Sequence, residues 1–288
     1  MKPDSLYITD LDGTLLQDDA TLSPYSRSTL EQMLGTGLQF TIASARSVFS
    51  IQDIIQDLPI KLPIISINGG YISDPVTGRH FIVNQIDSTV VKDLLDMVHT
   101  AELAPWVSTF NGSRDCLYYN QIANGGMQWY LEDRQAANDT RLHYLNDLDN
   151  SLSDQVICVI VMGKEGQVAE IRSTIESRYG KRLMTQFYEN RYSPGWHWLS
   201  IHDAGATKGN ALRTLVDKWG FGESEVVVFG DGENDIEMFQ EAGRAIAVAN
   251  AEEPLRPFAD RIIGPNSDDS VVRFIEAEFG MVVKDHRN

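Results

Sequence analysis

The stretch YITDLDGTLL, residues 7–16, sets two carboxylates, Asp10 and Asp12, directly behind the apolar run Leu6, Tyr7 and Ile8. Such a run, closed by acidic residues and a glycine, reads as a buried strand ending at Asp10. Like charges repel where a buried strand stops, so the pair needs a neutralising partner. The same texture recurs twice. LQFTIAS, residues 38–44, is an apolar strand ending at Ser44, and SEVVVFGD, residues 224–231, ends at Asp231.

Helical segments alternate with these strands. SPYSRSTLEQMLGTG, residues 23–37, reads as a helix with Ser23 as N-cap, Pro24 in first position and Gly35 near its end. SVFSIQDIIQDL (47–58), TKGNALRTLVDKWGFG (207–222, led by Lys208) and the short NDIEMFQEAG (234–243) follow the same pattern, and GGYISDPVTGRHFIV (69–83) reads as a hairpin. Strand-then-helix repetition predicts an α/β fold with a doubly wound, mainly parallel sheet. Between about residues 84 and 195 the texture changes: STVVKDLLDMVHTA and EGQVAEIRSTIESRYG are helical, PWVSTFNGSRDCLYYN is a hairpin and QVICVIVMG a strand. The polar stretch 134–154 reads as solvated surface. A smaller α/β domain, 84–195, is therefore expected as an insertion into a core made of 1–83 and 196–288.

In an open parallel sheet, ligands bind beyond the carboxyl ends of the strands, which is where Asp10, Ser44 and Asp231 fall. Carboxylates gathered there call for a divalent cation, and hard oxygen donors with room for water suit Mg²⁺, with Asp10 and Asp231 as direct ligands. A carboxylate can attack phosphorus to form an aspartyl-phosphate, which fits Asp10, and a second acid two residues on can move protons, which fits Asp12. The Ser44 hydroxyl and Lys208 ammonium can hold phosphoryl oxygens as charge redistributes.

DLDGT, TIASAR, ATKGNAL and GDGENDIEMF, in that order, resemble the four motifs of haloacid dehalogenase superfamily phosphatases. INGGYI and AIAVANAEEPLRPFADRII are similar to segments of the Cof-type and sugar-phosphatase-like branch. The resemblance implies a Rossmann-like core and an α/β cap inserted between the second and third motifs. It makes Asp10 the nucleophile and a metal ligand, and Asp12 the acid/base whose main-chain carbonyl also binds metal. Asp231 would bind the metal and Asp235 support it, directly or through water. Asn234, Ser44, Lys208 and the backbone amides of Leu11 and Ala45 would hold the phosphate. Ala45 stands where the family often has glycine, and Ser270 departs in the same way near the carboxyl end. Arg46 and Asn68 are candidate substrate-binding residues, with a surface ion pair and an Asn-Gly turn as their alternatives.

The expected activity is hydrolysis of a small phosphorylated metabolite such as a sugar phosphate. A phosphomutase with the same nucleophile and an idle metabolite-binding module are the rival readings. With 41 acidic residues against 24 Lys and Arg, a net charge of −17 and 42% hydrophobic content, the chain should fold around a sizeable core. It should also repel nucleic acid and anionic membranes. Without an apolar signal core or spanning run it is expected in the cytoplasm. Cys116 and Cys158 suggest small core residues, and His197 and His202 lack a matching ligand set for zinc. Arg114 and Arg191 in the insert, with Trp196 and His197 just past its end, are candidates for touching substrate.

Overall fold

The computed structural model describes residues 5–190, 192–221 and 226–280. The chain divides into two compact units, Met1–Ile82 with Thr207–Asn288, and Val83–Ala206. The first segment runs β1 (Leu6–Thr9), α1 (Pro24–Gly35), β2 (Gln39–Ile42), α2 (Val48–Ile55), β3 (Ile64–Ser66), β4 (Tyr71–Ser73) and β5 (His80–Val83). Ser23 caps α1 by accepting the Ser26 amide at 3.0 Å, and Pro24, which has no N–H to satisfy, occupies the first turn as expected.

The inserted unit contains α3 (Ser88–Thr100), β6 (Pro105–Phe110), β7 (Asp115–Tyr119), α4 (Gly125–Ala136), β8 (Leu142–Tyr144), β9 (Gln155–Gly163), α5 (Glu165–Tyr179), β10 (Leu183–Glu189) and β11 (His197–Asp203). Its sheet has the order β10-β11-β9-β6-β7-β8 and is antiparallel except for the β7–β8 pair. Strand alternation sends Val107, Val159 and Leu199 to a face packed with Val90 and Leu94 of α3 and Val168 and Ile171 of α5. The opposite face carries Trp106, Met162 and Trp198, packed with Met127 of α4.

The remaining core elements are α6 (Lys208–Trp219), β12 (Val226–Gly230), α7 (Ile236–Glu241), β13 (Arg244–Ala247), β14 (Arg261–Ile262) and α8 (Ser270–Phe279). The core sheet is parallel, in the order β14-β13-β12-β1-β2. From β1 the chain moves outward to β2, whereas from β12 it moves the other way to β13 and β14. The strand order therefore reverses between β1 and β12, the position where doubly wound sheets open a crevice. All four β1 residues are buried, as a central parallel strand requires.

Two expectations are corrected. The core resumes at Thr207 rather than at 196, because β11 pairs with β9 and β10 inside the inserted sheet. The stretch 134–154 is not all solvated surface: Asp139 and Arg141 are buried and pair through two hydrogen bonds, at 2.9 and 2.6 Å. Both cysteines are buried and free. Among the described residues, no helix is long and apolar enough to cross a membrane.

Candidate active site

Pairing of β1 with β12 brings the two acidic strand ends together. Thr9 lies opposite Phe229, and the Asp10 amide donates to the Phe229 carbonyl at 2.9 Å. Asp10 and Asp231 thus leave the sheet at one edge, at the reversal of strand order. Asp235, on the turn that follows β12, joins them, and each of the three offers an oxygen within 4.8 Å of the others. All three are buried, Asp235 completely.

Lys208, in the first turn of α6, is the counter-charge. Its Nζ lies 2.8 Å from Asp10 Oδ1 and 2.7 Å from Asp235 Oδ1, and the side chain is sealed from water. The helix is set by Thr207, whose hydroxyl accepts the Asn210 amide at 3.1 Å. Burial pushes the Asp10 carboxyl well above the usual carboxylate range; Lys208 pulls it back, while Asp235 and Asp231 push it further up. Burial alone would lower the Lys208 ammonium, but Asp10 and Asp235 together outweigh it and hold the ammonium above its ordinary value. One ammonium among three carboxylates leaves excess negative charge, and hard, buried oxygens at this spacing fit a divalent cation.

Gly13 has φ +77°, and a Cβ there would collide with the Asp231 carboxylate, so only glycine lets the loop pass this close. Thr14 Oγ1 donates to Asp231 Oδ1 at 2.8 Å. Asp12 is half-buried and is held by Arg46, whose Nε and Nη2 each donate to one carboxylate oxygen at 2.6 Å. Arg46 therefore occupies the ion-pair alternative, with Asp12 as its partner. Ser44 is buried just beyond β2, and its Oγ accepts the Arg46 amide at 3.2 Å. Ala45 is exposed and keeps ordinary backbone angles in place of the family's glycine, with no positive φ. Leu11 is fully buried. Asn234 is half-buried and donates to Asn68 Oδ1 at 3.1 Å, so Asn68 both forms its Asn-Gly turn and meets the site.

Sequence reasoning missed the support behind this loop. Asn250 Nδ2 donates to the Gly13 carbonyl at 2.7 Å, and Asn266 Nδ2 donates to the Leu16 carbonyl at 2.8 Å. The Asn266 amide in turn donates to Asn250 Oδ1 at 3.0 Å. Neither asparagine lies in a periodic pattern. Only the place of Asn250 inside AIAVANAEEP pointed to it.

Within the inserted unit the candidates scatter. Arg114 is exposed on the β6–β7 turn, and Arg191 lies outside the described residues. Trp196 lies beneath the Lys164 ammonium, 3.7 Å from the ring centre. His197 stacks on Phe187, while His202 is buried against Cys158, its Nε2 3.7 Å from Sγ. Five residues apart on one strand, the two histidines face opposite sides of the sheet.

Residues 7–275 match the haloacid dehalogenase-like hydrolase family. A 5-amino-6-(5-phospho-D-ribitylamino)uracil phosphatase of Bacillus subtilis is 27% identical over 279 residues, covering 96% of this chain and 98% of its own. A pyridoxal phosphate phosphatase of Escherichia coli is 26% identical, covering 92% and 95%. The crystal structure of a haloacid dehalogenase-like hydrolase from Bacteroides thetaiotaomicron has a TM-score of 0.78 at 25% identity, covering 95% of this chain and 99% of that one. The chain belongs to the haloacid dehalogenase-like hydrolases, in their Cof-type, sugar-phosphatase-like branch, and is a hydrolase acting on phosphate esters.

Proposed function

We propose that the chain is a Mg²⁺-dependent phosphatase of a small phosphorylated metabolite, a sugar phosphate or a related monoester, working through an aspartyl-phosphate on Asp10. The observation that carries this reading is the buried Asp10, Asp231 and Asp235 cluster at the reversal of strand order, with Lys208 bonded to two of its members.

Asp10 attacks phosphorus, forming a bond from its carboxylate oxygen while the bond to the leaving oxygen breaks. Asp12 gives that oxygen a proton, then takes one from the water that cleaves the acyl phosphate. The Ser44 hydroxyl, the Lys208 ammonium, the Asn234 amide and the main-chain amides of Leu11 and Ala45 hold the phosphoryl oxygens. Asp10, Asp231 and the Asp12 main-chain carbonyl would hold Mg²⁺. Bound there, the ion supplies charge neutralisation for carboxylates and phosphate alike. Asp235 already accepts Lys208 on Oδ1 and the Asp231 and Gly232 amides on Oδ2, which suits a supporting role. Substrate choice is assigned to the inserted unit.

The substrates named for the Bacillus subtilis and Escherichia coli relatives have different organic parts and share a phosphate ester, which supports the substrate class without selecting a member. The test is phosphate release from a panel of phosphorylated metabolites with Mg²⁺. Release from at least one, lost in Asp10→Asn, is the expected result. Undiminished release by that variant overturns the nucleophile, and transfer of phosphate to a second hydroxyl in place of water makes the protein a mutase.

A further inference from the structure

The turn Ile67-Asn68-Gly69 is strained at its first residue. Its three residues have φ of +47°, +52° and +100°, a run of left-handed backbone that Asn68 and Gly69 tolerate and β-branched Ile67 disfavours. Neighbouring groups hold it there. The Ile67 amide donates to the Arg46 carbonyl at 2.9 Å and the Asn68 amide to the Ser44 carbonyl at 3.0 Å. Gly69 is pressed so close to Thr207 that a Cβ would strike the Thr207 carbonyl oxygen. One turn therefore touches the loop after β2, the cap of the helix that carries Lys208, and, through Asn68 Oδ1, the side chain of Asn234.

The chemistry of that last contact is directional. A carboxamide presents N–H on one side and C=O on the other, and only N–H attracts a phosphoryl oxygen. Asn68 is buried, and its Oδ1 accepts one of the two Asn234 Nδ2 protons. This fixes which way round the Asn234 amide stands and leaves its second N–H for an anion. We infer that Asn68 is a positioning residue for phosphate capture, orienting Asn234 as a donor, and that the strained turn exists to hold it there. The inference rests on the proposal that Asn234 contacts substrate phosphate.

Asn68→Gly is the test, because glycine keeps φ +52° without cost and removes only the carboxamide. With p-nitrophenyl phosphate as substrate, KM and the inhibition constant of inorganic phosphate should both rise about tenfold, the loss of roughly one good hydrogen bond to an anion, while kcat changes less. Asn234→Ala should show the same split, and adding Asn68→Gly to it should cost nothing more. Asn68→Ser, a milder truncation that leaves a polar group in place, should reproduce the split if the glycine variant does not fold. Wild-type constants in Asn68→Gly, or losses that add in full to those of Asn234→Ala, overturn the inference and leave the phosphatase reading intact. A wild-type protein that neither hydrolyses p-nitrophenyl phosphate nor is stabilised thermally by inorganic phosphate overturns both.

Discussion

Arg46 holds Asp12 in a two-pronged grip, Nε to Oδ2 and Nη2 to Oδ1, both at 2.6 Å, so the residue assigned to proton transfer is parked on a cation from the next motif. The planar guanidinium matches the carboxylate geometry, which makes this a stronger contact than an ordinary surface pair.

Removing either member should therefore be felt through the other. Asp12→Asn should lower kcat for an alkyl phosphate by about 10²–10⁴-fold, and less for an aryl phosphate whose leaving group needs no proton. Arg46→Ala should change the alkyl rate in the Asp12 background and leave it unchanged in the Asp12→Asn background. Steady-state rates of the two single variants and the double variant, on both substrate types, check this.

Asp10→Asn should reduce turnover by at least ~10³-fold, because an amide cannot form the acyl phosphate. The circular dichroism spectrum should stay that of the wild type, since the substitution keeps the shape of the side chain.

Chelation is the complementary experiment. EDTA should abolish turnover and added Mg²⁺ restore it. Mg²⁺ at about a hundred times its dissociation constant should raise the unfolding free energy by ~2.7 kcal/mol, read from urea transitions. Lys208→Ala leaves Asp10 and Asp235 buried without their ammonium and should cost about 3–5 kcal/mol in the metal-free protein. Mg²⁺ should recover part of that loss.

His202 gives the inserted unit a pH dependence. Burial lowers its imidazole from the usual 6.5 to about 4. As pH falls through 6.5 the unfolded chain takes up a proton that the folded one refuses, so stability declines down to about pH 4 and then levels off. The loss across that window is about 3 kcal/mol. Urea transitions at pH 7 and pH 4.5 should reveal it, and His202→Leu should flatten the dependence.

The acidic ends of β1 and β12 were legible because an apolar run stopping at a carboxylate has few structural uses. Lys208 was legible from its place at a helix start between the acidic motifs. The boundary at Thr207 was not, because WHWLSIHD reads as a strand whichever sheet it joins, and strand pairing depends on distant partners. Asp139 and Arg141 were hidden for a related reason: two charges in a polar stretch look solvated until the fold buries both against each other. Asn250 and Asn266 act through main-chain carbonyls of a remote loop, a relationship that leaves no local pattern.

The parallel pairing of β1 with β12 also dictates an order of manufacture. The ribosome makes β1 first, yet one of its two neighbours comes from the far end of the chain. Until Val226–Gly230 emerges, a strand built for full burial waits with one edge unpaired, and a nascent or truncated chain presents a ready template for aggregation. The proposed site is therefore among the last parts of the chain to be assembled, and translation that stops before Asp231 yields a chain that is sticky and lacks that site.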